Sequence, residues 1–125
     1  MPRPASKYDE LYAKYPFLSE VAVFQCDEGW FGLLSALCEK LANLQLGPDF
    51  KISQVKEKLR GLRFYPLDST ISEEKKDDVY ALIGDAVEKS FLICERCGQS
   101  GHGVSLNRGY LIKTLCEKCE KEADK

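Results

Sequence analysis

The sequence has few of the residues that catalysis usually needs, with one histidine among 125 residues. No Ser-His-Asp or Cys-His arrangement can be defended, and the GxGxxG, GxxxxGK[ST] and HExxH motifs are all absent. The carboxylate pairs at 73–74 and 77–78 open a predicted helix, where backbone amide dipoles favour acidic side chains without any catalytic role. These absences predict that the protein is not an enzyme.

Long apolar runs are also missing. No segment approaches the length needed to cross a bilayer, and residues 1–17 hold no apolar stretch that could serve as a secretory signal. We therefore expect a cytoplasmic protein with no membrane partner. In a reducing compartment, closely paired cysteines more often bind metal than form disulfides, and this chain has six cysteines.

Positive charge in excess is a third absence, since the net charge is −2. No global field would draw this chain onto nucleic acid or an anionic membrane. The densest local cluster of cations lies in residues 51–63. A run of this kind is most simply a solvated face of a helix or strand.

Two long amphipathic helices are predicted, over residues 28–45 and 73–92, where apolar residues recur every three or four positions. Asp27 and Ser72 stand where N-terminal caps are expected, and Gly47-Pro48 closes the first of these helices. A shorter helix is predicted from Ser6 to Tyr15, with Pro16 as its stop.

The segments between the helices are less regular. Residues 20–25 are β-branched and predict a strand or an extended connection. Residues 52–59 fit either a short helix or an alternating strand. Residues 62–67 favour a strand, and Pro66 suggests an edge position or the strand's last residue because proline has no amide hydrogen to donate.

Four cysteines near the C-terminus form two CxxC pairs separated by 18 residues. Such spacing is typical of a four-cysteine site for one structural zinc ion, here Cys94, Cys97, Cys116 and Cys119. Asn107-Arg108-Gly109 and the flanking apolar residues predict a β-hairpin that brings the second pair beside the first. Gly98 suits the positive φ that such a turn often needs.

Other uses of these thiols are less favoured. A redox-active CxxC usually places one cysteine at a helix N-terminus, whereas Cys94 follows a helix. His102 lies in a predicted loop, and four cysteines already saturate the ion. Cys26 and Cys38 have no CxxC partner and are expected to be small core residues. The aromatic residues Trp30 and Phe31 are also expected in the core.

These patterns predict an α+β protein in which two amphipathic helices pack on a small sheet, with a C-terminal four-cysteine zinc ribbon. The expected organisation is a helical α+β body over 1–93, a ribbon over 94–119 docked on the end of the last helix, and a charged tail over 120–125.

Three stretches together resemble a group of small zinc-ribbon proteins found in bacteria and in phage or prophage genomes. They are Cys26-Asp-Glu-Gly-Trp-Phe31, Gln54-Val-Lys-Glu-Lys58 followed by Leu62-Arg-Phe-Tyr65, and the unit from Cys94-Glu-Arg-Cys97-Gly98 to Thr114-Leu-Cys116. The resemblance spans residues 24–119, although Leu59-Arg60 stands where the group has an aromatic residue and a glycine. It implies zinc and a phage or mobile-element setting in a bacterial cell or an infected host, and it brings no activity with it.

Two functions follow as hypotheses. The first is a zinc-stabilised interaction protein that binds, and could inhibit, a host protein through an exposed apolar patch near Tyr110 and Leu111. The alternative is a zinc ribbon that binds nucleic acid through the basic segment 51–63, provided that the cations converge on one face. The contacting set would be Lys51, Lys56, Lys58, Arg60, Arg63, Arg96, Arg108 and Lys113.

Overall fold

The computed structural model describes residues 7–58 and 61–98, together with the backbone of 104–106 and 114–116. The helices and strands of these parts alternate irregularly along the chain, as expected of an α+β protein. In chain order they are α1 (Asp9–Lys14), β1 (Phe24–Gln25), α2 (Phe31–Asn43), β2 (Ile52–Lys58), β3 (Gly61–Pro66), α3 (Glu73–Ser90), β4 (Val104–Leu106) and β5 (Thr114–Cys116). Single turns of 3-10 helix occur at Pro16–Leu18, Glu28–Trp30 and Asp68–Thr70.

A three-stranded sheet has β2 at its centre. Strand β1 runs parallel to β2, with Phe24 paired to Val55, and β3 runs antiparallel to β2 on the other side, with Phe64 paired to the same Val55. Residues paired in register share a face of the sheet, so Phe24, Val55 and Phe64 together mark the buried face. The predicted α+β class is confirmed.

The core forms between this face of the sheet and the stripes of α2 and α3. Each helix buries residues three or four positions apart, which lie on one side of a helix with 3.6 residues per turn. The buried helical side chains are Leu34, Leu37, Cys38 and Leu41 of α2 and Val79, Ile83, Ala86 and Ser90 of α3. Trp30 is fully buried beside them, which confirms its predicted place in the core.

Both long helices agree with their predictions, apart from their ends. Helix α3 stops at Ser90, two residues before the predicted end. Helix α2 begins after a 3-10 turn and ends at Asn43, beyond which Gln45 and Gly47 take positive φ values of 54° and 90°. Asp27 and Ser72 stand at the predicted N-cap positions, but neither side chain makes the expected cap hydrogen bond.

Helix α1 is shorter than predicted, and its apolar face is as expected. Tyr8, Leu11 and Tyr15 are buried, whereas Tyr12 is half-buried against the core. Pro16 begins the next 3-10 turn, which agrees with its predicted role as a stop.

The ambiguous segment after residue 51 is a strand. Strand β2 pairs with a neighbour on each side, and an irregularity in its pairing with β3 falls between Ile52 and Gln54. Pro66 is the last residue of β3, and β3 is an edge strand, so both predictions for this proline are confirmed.

Strands β4 and β5 form a separate antiparallel pair, with Val104 opposite Cys116. Their pairing agrees with the predicted hairpin between the two cysteine pairs. The predictions for Asn107-Arg108-Gly109, His102, Cys119, the tail and the apolar patch near Tyr110 and Leu111 lie outside the described residues. None of the helices in the described part of the chain has the length and apolar character needed to cross a membrane.

Candidate metal knuckle and basic sheet face

The first cysteine pair lies on a tight turn directly after α3. Cys94 is fully buried and Cys97 is exposed. The Gly98 amide donates a hydrogen bond to the Cys94 carbonyl at 2.9 Å, and Gly98 has a φ of 86°. The positive φ predicted for Gly98 is therefore confirmed, and residues 94–98 are called the knuckle below.

The donor chemistry of the knuckle fits half of a four-cysteine zinc site. The third predicted ligand, Cys116, is the last residue of β5, and Cys119 lies outside the described residues. Among the residues described with side chains, no three Cys, His, Asp or Glu gather as a metal site. Of the four predicted ligands, only Cys94 and Cys97 have side chains that the structure describes.

Backbone contacts dock the knuckle on the turn that precedes α2. The Gly29 amide donates to the Glu95 carbonyl at 2.7 Å, and the Trp30 indole N–H donates to the Ile93 carbonyl at 3.0 Å. A Cβ atom on Gly29 would stand 2.3 Å from the carbonyl oxygens of both Cys94 and Glu95. Position 29 therefore accepts only glycine without movement of the knuckle.

Glu95 strengthens this docking with a buried side chain that is 1% exposed. Its Oε2 accepts a hydrogen bond from the Asp27 amide at 2.9 Å. On the other side of the same turn, the Tyr8 hydroxyl donates to the Asp27 carbonyl. Burial, with the nearby Cys26 and Glu95, raises the pKa of Tyr8 far above its usual range, so this hydroxyl keeps its proton.

The two remaining cysteines lie where the sequence predicted. Cys38 is fully buried on α2, and burial raises the pKa of its thiol to about 12. Cys26 is half-buried and packs against the core, with its Sγ 3.5 Å from the Tyr8 hydroxyl. Both are core residues, as predicted.

The face of the sheet that points away from the core is basic, and its long side chains are exposed or half-buried. Register places Lys56 opposite Arg63 and beside Gln25, and it places Gln54 opposite Tyr65. Glu57 has the opposite parity on β2 and therefore lies on the other face. The side chains of this basic face are Gln25, Gln54, Lys56, Lys58, Arg63 and Tyr65.

Two cations of the basic face lie directly opposite each other, which lowers the stability of the sheet. Like charges directly opposite each other on antiparallel strands are destabilising, and Lys56 faces Arg63 in this way. In the part of the chain that is described, salt bridges join Lys76 and Lys89 to carboxylates on and beside α3, and none involves the three cations of the basic face. No ion pair in the described part of the chain therefore accounts for these cations, although the Lys56 ammonium stands over the Tyr65 ring.

A groove of about 300 Å³ runs along the outer edge of β3, between this strand and α3. Arg63 and Tyr65 line the groove and also belong to the basic face, so the two surfaces are continuous. Helix α3 contributes Tyr80, Ile83 and Val87 to the opposite wall. We call it the β3–α3 groove.

The structure brings together only part of the predicted nucleic-acid set. Lys56, Lys58 and Arg63 share the basic face, whereas the Lys51 ammonium donates to Ser19 Oγ at 3.3 Å. Arg96 is exposed on the knuckle. The other three predicted contacts, Arg60, Arg108 and Lys113, lie outside the described residues.

Two features were missed from the sequence. Tyr65 could have been found, because it stands two positions from Arg63 in a predicted strand and therefore shares its face. The contact of Gly29 with Glu95 could not have been predicted from neighbouring residues, because the two are far apart in the sequence.

No protein-family model, curated protein or solved structure matches the chain.

Proposed function

We propose that this chain is a non-enzymatic, zinc-stabilised protein that binds nucleic acid through the basic face of its sheet. The observation that carries the proposal is the juxtaposition of Lys56, Lys58 and Arg63 on one face of the sheet, where Lys58 is exposed and the other two are half-buried. Positive side chains arranged along one surface neutralise phosphates and release counterions, which supplies most non-specific affinity for nucleic acid.

The distribution of charge supports this surface over the rest of the molecule. The net charge of −2 argues against a diffuse attraction to polyanions. Strands β2 and β3 hold one acidic residue, Glu57, and it lies on the face opposite the cations. The basic face can therefore be locally positive in a chain that is acidic overall.

The proposed role of zinc is structural. Cys94, Cys97, Cys116 and Cys119 would hold one Zn²⁺, and four thiolates leave no open position for water or substrate. The knuckle turn at Gly98 and the antiparallel pairing of β4 with β5 support this assignment. The zinc ribbon would then be a rigid module docked on the start of α2.

The test is salt-dependent binding to nucleic acid, measured by fluorescence anisotropy. With three phosphate contacts, the logarithm of the association constant should fall against the logarithm of salt concentration with a slope of about −2 to −3. The variant Lys56→Gln/Lys58→Gln/Arg63→Gln should lose most of this dependence.

A matched control removes the same charge elsewhere. Lys14 and Lys40 are exposed on helices, and Lys75 is half-buried in the first turn of α3. The variant Lys14→Gln/Lys40→Gln/Lys75→Gln should bind nearly as the parent does. Equal losses in the two triple variants would mean that net charge, and not the basic face, sets the affinity.

A protein partner, the first hypothesis from the sequence, is a second proposal with its own observation. Phe91 and Leu92, at the end of α3, are 40% and 59% exposed, although both are apolar. Exposed apolar residues beside a docked module are common in binding surfaces. The phage or mobile-element setting, and inhibition of a host protein, belong to this proposal.

The two proposals can be separated by variants. A host protein captured by the parent should be lost from Phe91→Ser/Leu92→Ser and retained by the triple variant of the basic face. The reverse pattern would reject the protein-partner proposal.

A further inference from the structure

We propose that the nucleic acid is single-stranded, with phosphates on the basic face and an unstacked base against Tyr65 in the β3–α3 groove. This inference rests on the proposed function and names the class of its ligand. It follows from the continuity between a cationic surface and an aromatic-walled groove.

Tyr65 lies where the two surfaces meet. The Tyr65 residue is 42% exposed, although tyrosine rings usually bury most of their area. The Lys56 ammonium stands 5.9 Å from the centre of this ring. An exposed aromatic ring beside cations is the arrangement that single-strand binders use, because each base can stack while its phosphate is neutralised.

The opposite wall of the groove is held in position by a hydrogen bond. The Tyr80 hydroxyl donates to Asp68 Oδ1 at 2.7 Å, and the Lys76 ammonium stands 3.3 Å from the other oxygen of the same carboxylate. Tyr80 is 43% exposed and presents a second aromatic ring to the groove. This hydrogen bond orients the Tyr80 side chain before any ligand arrives, which lowers the entropic cost of placing that ring.

The remaining lining is apolar, from Leu62, Phe64, Pro66, Ile83 and Val87. A volume of about 300 Å³ lies at the lower end of the range for sites that take small organic groups. Bases in a duplex are stacked and cannot enter such a groove, whereas bases of a single strand can be splayed out onto aromatic rings. An apolar peptide would fill the groove but would leave the three neighbouring cations without counter-charges.

The experiment compares oligonucleotides that differ only in strandedness and sugar. Fluorescein-labelled DNA of about 12 nucleotides, RNA of the same sequence and the matching DNA duplex are titrated with the full chain loaded with zinc. The single strands should bind at least about ten-fold tighter than the duplex. Comparison of the DNA and RNA arms shows whether the sugar contributes.

Variants test the stacking itself. Tyr65→Leu keeps an apolar side chain and removes the ring, so single-strand affinity should fall by about 5- to 150-fold, the range for loss of one stacked base. The slope against salt should stay unchanged, because no cation is lost. Phe17→Leu is the matched control, since this ring packs edge-on against Phe50 and is outside the groove.

The outcomes separate this inference from the function on which it rests. Equal binding to duplex and single strand, or no effect of Tyr65→Leu, would overturn the single-strand inference and leave the basic face as a nucleic-acid site. Absence of salt-dependent binding to all three oligonucleotides would overturn the proposed function as well. Circular dichroism of each variant checks that the helices are intact.

Discussion

Gly29 illustrates how one residue can set a contact between distant parts of a chain. Its amide binds the knuckle, and its missing side chain leaves the space that the Cys94 and Glu95 carbonyls occupy. The sequence before α2 gives no hint of this, because the neighbour that excludes a Cβ atom is reached only through the tertiary fold. The same limit applies to Glu95. Its position between the two cysteines of a CxxC pair does not predict that its carboxylate is buried.

We expect Gly29→Ala to destabilise the protein by about 1–3 kcal/mol, because the new methyl group overlaps two backbone carbonyl oxygens. The free energy of unfolding in urea measures this loss. Gly84→Ala is the control, since a Cβ atom there meets nothing within 4 Å and alanine favours a helix by about 0.5–1 kcal/mol. A Gly29→Ala protein as stable as the parent would contradict the described docking.

At the scale of elements, the two long helices and β3 could be predicted closely, whereas β2 could not be told from a helix. The apolar residues of a long helix recur over many positions, so the sequence predicts the helices at 28–45 and 73–92 with errors only at their ends. The segment of β2 was ambiguous because Ile52 and Val55, three apart, are both buried, as they would be on a helix. The irregularity between Ile52 and Gln54 shifts the alternation and produces this helix-like spacing in a strand.

Ser90 joins two of these elements. It is fully buried at the end of α3, and its Oγ accepts a hydrogen bond from the Leu62 amide at 3.0 Å while its hydroxyl donates to the Val87 carbonyl. The last turn of α3 is thus fixed to the outer edge of β3. Leu62 and Val87, the two residues that Ser90 contacts, both line the β3–α3 groove, so this contact matters for the proposed site.

We expect Ser90→Ala to cost about 1–3 kcal/mol of unfolding free energy, because the buried Leu62 amide loses its acceptor. Chemical denaturation measures the change. Ser35→Ala is the matched control on α2, where the side chain is only half-buried and alanine is the better helix former. If the two variants were equally stable, the hydrogen bond to Leu62 would be unimportant in solution.

At the scale of the whole molecule, the body and the basic face follow from described contacts, whereas the zinc ribbon as a whole remains a prediction. The spacing of four cysteines predicts it because tetrahedral zinc constrains ligands far apart in the sequence. The sequence predicts a basic face only on the condition that the cations of residues 51–63 converge on one surface. The structure meets this condition for Lys56, Lys58 and Arg63.

Removal of the proposed zinc ion should unfold the proposed ribbon and spare most of the helical body. Zinc contributes on the order of 10 kcal/mol to the folding of comparable small sites, whereas the body has its own buried core. Cys97→Ser and Cys116→Ser should lower the bound zinc, measured by elemental analysis, as chelation does. Cys38→Ala should leave the metal content unchanged, and equal zinc loss in all three variants would refute the assigned ligands.

The chain has one tryptophan, and it lies at the contact between the body and the knuckle. Trp30 is fully shielded from water, and its indole N–H is held by the carbonyl immediately before Cys94. Its fluorescence emission therefore acts as a built-in optical reporter of whether the knuckle is seated. A red shift should accompany detachment of the knuckle, while a ligand on the far side of the sheet should leave the emission wavelength unchanged.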